Sequence, residues 1–286
     1  ADAYEIHVDG ARVARGAARE DRLLAIHPSG DVRAIPGEPT RDPSYGLPAL
    51  WIALEQRQAA AAAQYTLVDA HTVFLTHLTE VLRRESPALP PRAETEKMLA
   101  RLRQTHPSLV EELVPAVLSI GEVQKVLQNL LREKVSIRHM EAIVETLADA
   151  GRSTKDAGTL TEQVRQRLGP TICQTLAADT STLHVLTIDP AVESSFLQSL
   201  QAAQRDGASP SGFALEPRVL EKFMVHLMQQ AEKMMKNNLL PILLCSPPLR
   251  RHVRSLCERG LPHLRVLSMA EVPASVELKS FGTVSL

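Results

Sequence analysis

Aromatic residues are scarce in this chain: one Trp, three Tyr and five Phe, 3% of 286 residues. So few rings offer little platform for stacking single-stranded bases. Cysteine is nearly missing. Cys173, Cys245 and Cys257 are odd in number and stand at no framework spacing, which argues against a disulfide framework and fits a reducing cytoplasm. No charge sign dominates. Lys and Arg number 32 against 33 Asp and Glu, for a formal net charge of -1. A general polyanion-binding surface is therefore not expected, though local basic patches are allowed. Nor is there an apolar run near the roughly 20 residues that span a bilayer. The longest, Leu239 to Cys245, is of strand length. No signal peptide opens the chain, because Ala1 to Gly10 carries charge and lacks an apolar core.

Signals for chemistry are equally sparse. His71 and His77 are six apart and His252 and Cys257 five apart, neither the i,i+4 spacing that sets two ligands on one helix face. No C-x-x-C, no G-x-S-x-G elbow and no phosphate-binding G-x-x-x-x-G-K-[ST] loop occurs. Cys173 and Cys245 sit in apolar stretches, where a cysteine is an inert small hydrophobe. The expectation is no metal, no cofactor and no enzyme activity.

The hydrophobic content of 44% suits a globular chain of several subdomains. Tyr4, Ile6 and Val8 alternate with polar residues, Asp9-Gly10 is a turn signal, and strands are read at Arg12-Val13 and Leu23 to Ile26. Pro28-Ser29-Gly30 turns the chain, and Asp31 to Ser44, with Pro36, Gly37, Pro39 and Pro43, reads as a loop. Ala59 to Ala63 reads as helical. A helix starts near Asp69, a good N-cap, with Val73, Leu75, Leu78, Val81 and Leu82 apolar, and Pro87, Pro90 and Pro91 end it. Glu94 to Gln104 is a further helix.

Three helices are read next. Ser119 with Glu122 forms a capping box ahead of an apolar stripe, Ile120, Val123, Val126, Leu127, Leu130 and Leu131. Ser136 is read as the cap of a second helix burying Met140, Ile143, Val144 and Leu147. Thr159 with Glu162 is read as the capping pair of a third burying Leu160, Val164 and Leu168. Beyond it come strands at Leu183 to Ile188, Leu239 to Cys245, Leu264 to Leu267 and Ser275 to Val284. Helices are read at Ala191 to Ala203, Glu216 to Lys236 and Leu249 to Arg259, with a loop from Arg205 to Gly212 and Gly260 as a stop. The fold class is α/β (α+β): a mixed α/β N-terminal part, a central three-helix unit and a C-terminal α/β domain with a mixed sheet.

Charge leaves alternatives open. In the helical unit Arg132, Lys134, Arg138, Arg165 and Arg167 are interleaved with Glu133, Glu141, Glu145 and Glu162, the pattern of a solvated face. A DNA-binding regulator built on that unit is the alternative function, lacking a strong basic stripe. The denser group Arg250, Arg251, Arg254 and Arg259 is read either as a solvated face or as a subunit contact. The Met224, Met228, Met234 and Met235 stripe is read as core, with a partner role as the other option.

Several words of the chain recur in one family. They are Gly46, Leu47, Pro48 and Ala49 with Trp51 and Ile52; Tyr65, Val68 and Asp69, then Thr76, His77 and Leu78; Val123, Gln124, Leu127 and Leu130; and Val135, Ser136, Ile137 and Arg138. Lys155, Asp156, Leu160, Thr161, Glu162, Val164 and Arg165 follow, with a late VLSMAEVP segment, Val266 to Pro273. In this order and spacing, from about Tyr45 onward, the chain resembles the cytoplasmic domain of the major export-gate protein of bacterial type III secretion systems, the SctV/FlhA type of flagella and virulence injectisomes. Two positions depart: His139 stands where Asp is usual, and Gly169-Pro170 where a basic residue is common.

The resemblance implies a soluble piece of a longer protein, lying on the cytoplasmic side of the bacterial inner membrane. Membrane contact would come only through an absent N-terminal part. It implies four subdomains: 1–47 with 97–116, an inserted 48–96, a helical 117–177 and an α/β 182–286. It implies a homo-nonameric ring that receives chaperone–substrate complexes and meets other export-apparatus proteins, without nucleic acid. The docking groove would involve Trp51, Tyr65, Asp69 and Thr72, with Asp69 equally readable as an N-cap. Subunit contacts are expected of Arg138, Arg165, Arg250 and Arg254. Flagellar and virulence types both stay open, the virulence type favoured.

Overall fold

The computed structural model describes residues 2–8, 10–85, 89–205, 213 and 215–286. Asp9, Pro87 and the loop expected up to Gly212, past Arg205, lie outside the described residues. Two compact units are present, Ala1–Pro87 with Val225–Pro241, and Ala88–Met224 with Ile242–Leu286.

The first unit opens with an antiparallel hairpin of β1 (Asp2–Val8) and β2 (Ala11–Ala18), Gly10 supplying a positive φ of 80° at the turn. An antiparallel sheet follows, built from β3 (Arg22–Ile26), β4 (Glu38–Arg41), β5 (Pro48–Ala53) and β6 (Thr66–Asp69) in the order β4-β5-β3-β6. The segment read as a loop from Asp31 to Ser44 thus holds a strand. β4 is an exposed edge strand, where the N–H that Pro39 lacks is not needed by the sheet. Side-chain alternation splits the sheet's two faces. Leu23, Ala25, Leu50, Ile52 and Tyr65 form one buried cluster, which includes Ala60 of α1 (Arg57–Ala62). Leu24, Ala49 and Trp51 form the other with Val73 of α2 (Ala70–Glu85). Tyr4 ties the hairpin to α2: its ring meets Phe74 edge-on at 4.9 Å and its hydroxyl lies 2.8 Å from His77 Nδ1.

The second unit holds α3 (Arg92–Thr105), α4 (Pro107–Leu113), α5 (Ile120–Arg132), α6 (Met140–Ala150), α7 (Ala157–Arg167) and α8 (Gly169–Ala177). α4 and α8 add to the three helices expected. Its sheet is parallel throughout rather than mixed. The strands β7 (Thr182–Ile188), β8 (Ile242–Cys245), β9 (Arg265–Ser268) and β10 (Glu277–Val284) run in the order β10-β7-β8-β9. The connecting helices are α9 (Pro190–Arg205), α10 (Pro217–Lys236, whose residues from Val225 count with the first unit) and α11 (Arg250–Cys257). Pro241 stands just before β8, where its missing N–H breaks no ladder. One apolar cluster runs from Leu99 and Leu113 through Val123, Leu127, Leu130, Ile143, Leu147 and Val164 to Val185, Leu244 and Leu267.

The capping box of α5 forms as expected: Glu122 N–H donates to Ser119 Oγ at 3.1 Å and Ser119 N–H to Glu122 Oε1 at 2.9 Å. The other two caps differ. α6 starts at Met140 after His139, with no side-chain cap, and Ser136 lies outside it. α7 is capped by Asp156, whose Oδ2 accepts the Thr159 N–H at 2.8 Å, so Thr159 is the donor rather than the cap. The hydrogen bonds from Thr159, with the Arg251 guanidinium also contributing, hold the Asp156 carboxyl down at about 2. On α10 the buried positions are Phe223, Leu227, Ala231 and Met234. Met228 is exposed, so the methionines form no single buried stripe.

Part of the charge read as a solvated face is internal, whereas Arg132, Arg138, Arg167, Arg259, Glu141 and Glu145 are exposed as expected. Arg250 is 1% exposed. Its guanidinium donates to Glu133 at 2.7 and 2.8 Å and to Glu162 at 2.7 and 2.6 Å, and also to the Val266 carbonyl. Arg165, also buried, donates to Glu271 through Nε at 2.5 Å and Nη2 at 3.2 Å. Glu133 further meets Arg254 at 3.6 Å and Arg165 at 3.9 Å. Burial works against the Glu133 charge, yet the Arg250 hydrogen bonds and the three neighbouring guanidinium charges hold its carboxyl at about 2. Gly169 completes the cluster, since a Cβ there would collide with the Glu271 carbonyl oxygen.

Two substitutions measure these contributions. Leu127→Ala, at a fully buried position, should cost about 2–5 kcal/mol in urea unfolding; a wild-type midpoint would show that this face is not core. Arg250→Met should cost about 3–5 kcal/mol by leaving buried carboxylates unpaired. Adding Glu133→Gln and Glu162→Gln should recover part of that loss. A triple variant no more stable than Arg250→Met would mean that packing, not pairing, is what Arg250 supplies.

Candidate protein-interaction site

Where β6 ends, Asp69 turns the chain into α2. Its Oδ1 accepts the Thr72 N–H at 2.8 Å, the N-cap geometry, and that hydrogen bond holds the Asp69 carboxyl below the usual range. Both side chains are exposed. α2 turns Ala70, Val73, His77 and Val81 inward. Its outer face carries Thr72, Leu75, Thr79 and Leu82, spaced three, four and three apart, so they lie along one line. Leu75 is 57% and Leu82 48% exposed. Leu75 and Leu82, expected on the helix's apolar side, are therefore on its solvent side. Their seven-residue spacing in phase with Thr72 and Thr79 was the sequence signal for this.

The four residues expected to act together are only partly gathered. Asp69 and Thr72 share a hydrogen bond at the start of the outer face. Trp51 is buried on the sheet face that meets Val73. Tyr65 is buried on the opposite sheet face, with its hydroxyl donating to the Asp31 carbonyl at 3.0 Å. Both rings are core, so they support the site from within rather than lining it.

The four arginines expected at subunit contacts also separate. Arg138 is exposed and Arg254 half-buried. Arg165 and Arg250 are buried in the ion pairs described above, which leaves neither guanidinium facing solvent. Of the basic residues that a DNA-binding reading of the helical unit would use, Arg165 is thus withdrawn, and the exposed Arg132, Arg138 and Arg167 alternate with exposed Glu141 and Glu145 rather than forming a basic stripe. Arg138 lines an open cleft of about 750 Å³ with Arg101, Arg167, His106, Glu141 and others, and there His106 and Glu141 approach to 3.2 Å. All three cysteines are buried, and burial pushes the Cys173 thiol up to about 11 and that of Cys257 to about 12, so neither is a ready nucleophile. Among the described residues, no three His, Cys, Asp or Glu side chains come together as a metal cage, and no helix is long and apolar enough to cross a membrane.

Comparison with known proteins turns this geometry into a family assignment. A profile described as the FHIPEP family matches residues 1–277. The chain is similar to the flagellar biosynthesis protein FlhA of Bacillus subtilis, 38% identical over 99% of this chain and 41% of that protein. It is 34% identical to FlhA of Salmonella typhimurium, over 98% of this chain and 39% of that protein. It thus spans about two fifths of the length of these relatives. Its fold is that of the Shigella flexneri MxiA structure, with a TM-score of 0.76 at 23% identity over 99% of this chain and 85% of that one. It is also that of nonameric SctV-C from EPEC, with a TM-score of 0.72 at 23% identity over 99% of this chain and 84% of that one. With a profile over nearly the whole chain and relatives above 30% identical along it, the chain belongs to the FHIPEP family.

Proposed function

We propose that this chain is the cytoplasmic, ring-forming part of a type III protein-export gate in the bacterial inner membrane, and that it receives secretion chaperone–substrate complexes on the outer face of α2. The observation that carries the docking reading is the exposed line Thr72, Leu75, Thr79 and Leu82, opening at Asp69. Leucines about half exposed, seven residues apart on an otherwise polar helix, suit a groove or helix of a partner better than water. Trp51 and Tyr65 act from the core beneath. The four-part division at 1–47 with 97–116, 48–96, 117–177 and 182–286 goes with this reading. The work is recognition and gating rather than covalent chemistry. The flagellar names of the relatives at 34–38% identity favour a flagellar exporter over the virulence type expected from sequence alone.

A nonameric ring is supported by the likeness to nonameric SctV-C. Head-to-tail contacts that close a ring need two different surfaces. Arg138, exposed in its cleft, and Arg254 are the residues available for one of them. Solution mass measured across concentration should rise from monomer toward large closed assemblies. A stable two-fold dimer as the sole oligomer would sink the ring.

Docking is tested by calorimetric titration of a purified chaperone–substrate complex into the chain. Thr72→Glu and Leu75→Asp should each weaken binding by roughly tenfold or more. Asp69→Asn, which keeps the cap while removing the charge, separates the two roles of that residue. Melting temperatures of all three should stay near wild type. Unchanged affinity for Thr72→Glu and Leu75→Asp would place docking elsewhere.

A further inference from the structure

The β1–β2 hairpin stands apart from the other sheets, its strands paired only with each other among the described residues. A two-stranded hairpin is marginal on its own in water, so it depends on what it packs against. That support is α2. Residues directly opposite each other share a face, and the register pairs Tyr4 with Gly16 and Ile6 with Ala14. The side turned to α2 therefore offers Tyr4 and Ile6 with only small residues beside them. Gly16 makes room for the ring, since a Cβ there would strike the Tyr4 hydroxyl.

Tyr4 is also where the hold becomes polar. Its hydroxyl meets Nδ1 of His77, which is only 6% exposed. Charges approach this pair unequally. Arg84, two turns further along α2, has Nη2 3.5 Å from the Val13 carbonyl oxygen of β2. Glu80, one turn from His77, is engaged by Arg83 at 2.9 Å. On the hairpin, Glu5 is exposed and bound to His7 and Arg12, with Arg15 opposite it on that outer face. On β3, Arg22 lies on the same sheet side as Leu24, which packs on Val73. Asp69 of β6 is occupied as the α2 cap. Asp42, after β4, acts on Tyr4 rather than on His77. Burial first, and then the Arg84 charge, hold the His77 imidazole below its usual value. A neutral imidazole can accept the Tyr4 proton on Nδ1, whereas a protonated one carries a hydrogen on both nitrogens and accepts nothing.

We propose that the Tyr4–His77 contact is a proton-operated latch, which holds the hairpin on α2 while His77 is neutral and frees it when His77 takes up a proton. A protonated His77 would be a buried cation beside Arg84, and releasing the hairpin returns it to water. An imidazole so freed titrates near the ordinary value of about 6.5. The docked imidazole binds its proton more weakly. Docking is therefore fully favoured above about pH 6.5 and weakens as the pH falls from there. Asp42 works in the opposite sense, because burial raises its carboxyl and acid relieves it. The latch lies on the inner side of α2, away from Leu75 and Leu82, and stands whether or not partners dock on the outer face.

The experiment is amide hydrogen exchange on the whole chain from about pH 7.5 to about pH 5.5, corrected for the intrinsic pH dependence of exchange. Protection across Ala11–Ala18 should fall several-fold with acid, while that of β3 and β5 holds. His77→Gln keeps an acceptor for the Tyr4 hydroxyl and has no proton to gain in this range, so it should remove the acid response. Arg84→Gln, at an exposed position where the fold tolerates change, should shrink the response by removing the neighbouring cation. Hairpin protection indifferent to acid in the wild-type chain would overturn the latch. An equal fall in β3 and β5 would do the same, since that is global acid unfolding, as would a full acid response in folded His77→Gln. If His77→Gln fails to fold, Arg84→Gln decides, and an undiminished response there overturns the latch.

Discussion

The guanidinium of Arg250 organises the second unit. It is closed in by Glu133 from the end of α5, Glu162 from within α7 and the Val266 carbonyl of β9, 117, 88 and 16 residues away along the chain. A buried guanidinium and two nearly buried carboxylates are costly to remove from water, and their mutual attraction offsets that cost only when the geometry is met. Their net contribution to stability over an apolar replacement is therefore small, while the penalty for a misplaced helix is large. A shift of α7 by one residue would withdraw Glu162 from Arg250 and Arg165 from Glu271 together. The pairs thus act as a register lock. They admit one arrangement of α5, α7, α11 and β9 among the many that an apolar core of Leu, Ile and Val would tolerate.

The lock extends to the backbone. Glu271 has to bring its carboxylate to Arg165 from the turn after β9, and this needs the start of α8 to pass against that turn. Gly169 makes the approach feasible because any side chain there would strike the Glu271 carbonyl oxygen. The Glu271 carboxylate also accepts the Ser268 N–H at 2.8 Å, so one side chain caps its own turn and answers an arginine 106 residues away.

Sequence periodicity reads what a single element does to itself. The apolar stripes of α5, α6 and α7, the capping box at Ser119 and the N-cap at Asp69 depend on residues three or four apart, and all were legible. The arginine network was not. Spacing along α7 reports that Glu162 and Arg165 share a face, but nothing local reports that α11 and the turn after β9 bring opposite charges onto it. Charge interleaving therefore reads as a solvated surface throughout, which holds for Arg132, Arg138, Arg167, Glu141 and Glu145 but not for Glu133, Glu162 and Arg165. The reading of Thr159 as a cap failed for a subtler reason. Both sequences satisfy a capping pattern, and it is the extended backbone at Asp156, φ -67° and ψ 114°, that decides. β4 was hidden by proline, which marks a loop except at an exposed edge. Leu75 and Leu82 read as core because they are leucines, although their phase with Thr72 and Thr79 points outward.

The face of α2 works by a different physics from the arginine network. Its exposed line of leucine and threonine opens at the Asp69 cap, so any contact made on it would draw its energy largely from buried apolar area. Salt screens exposed charges over about 10 Å at 0.1 M while leaving apolar burial almost untouched. Contact on that line would therefore be nearly indifferent to ionic strength, whereas a contact made through exposed arginines such as Arg138 would weaken as salt rises.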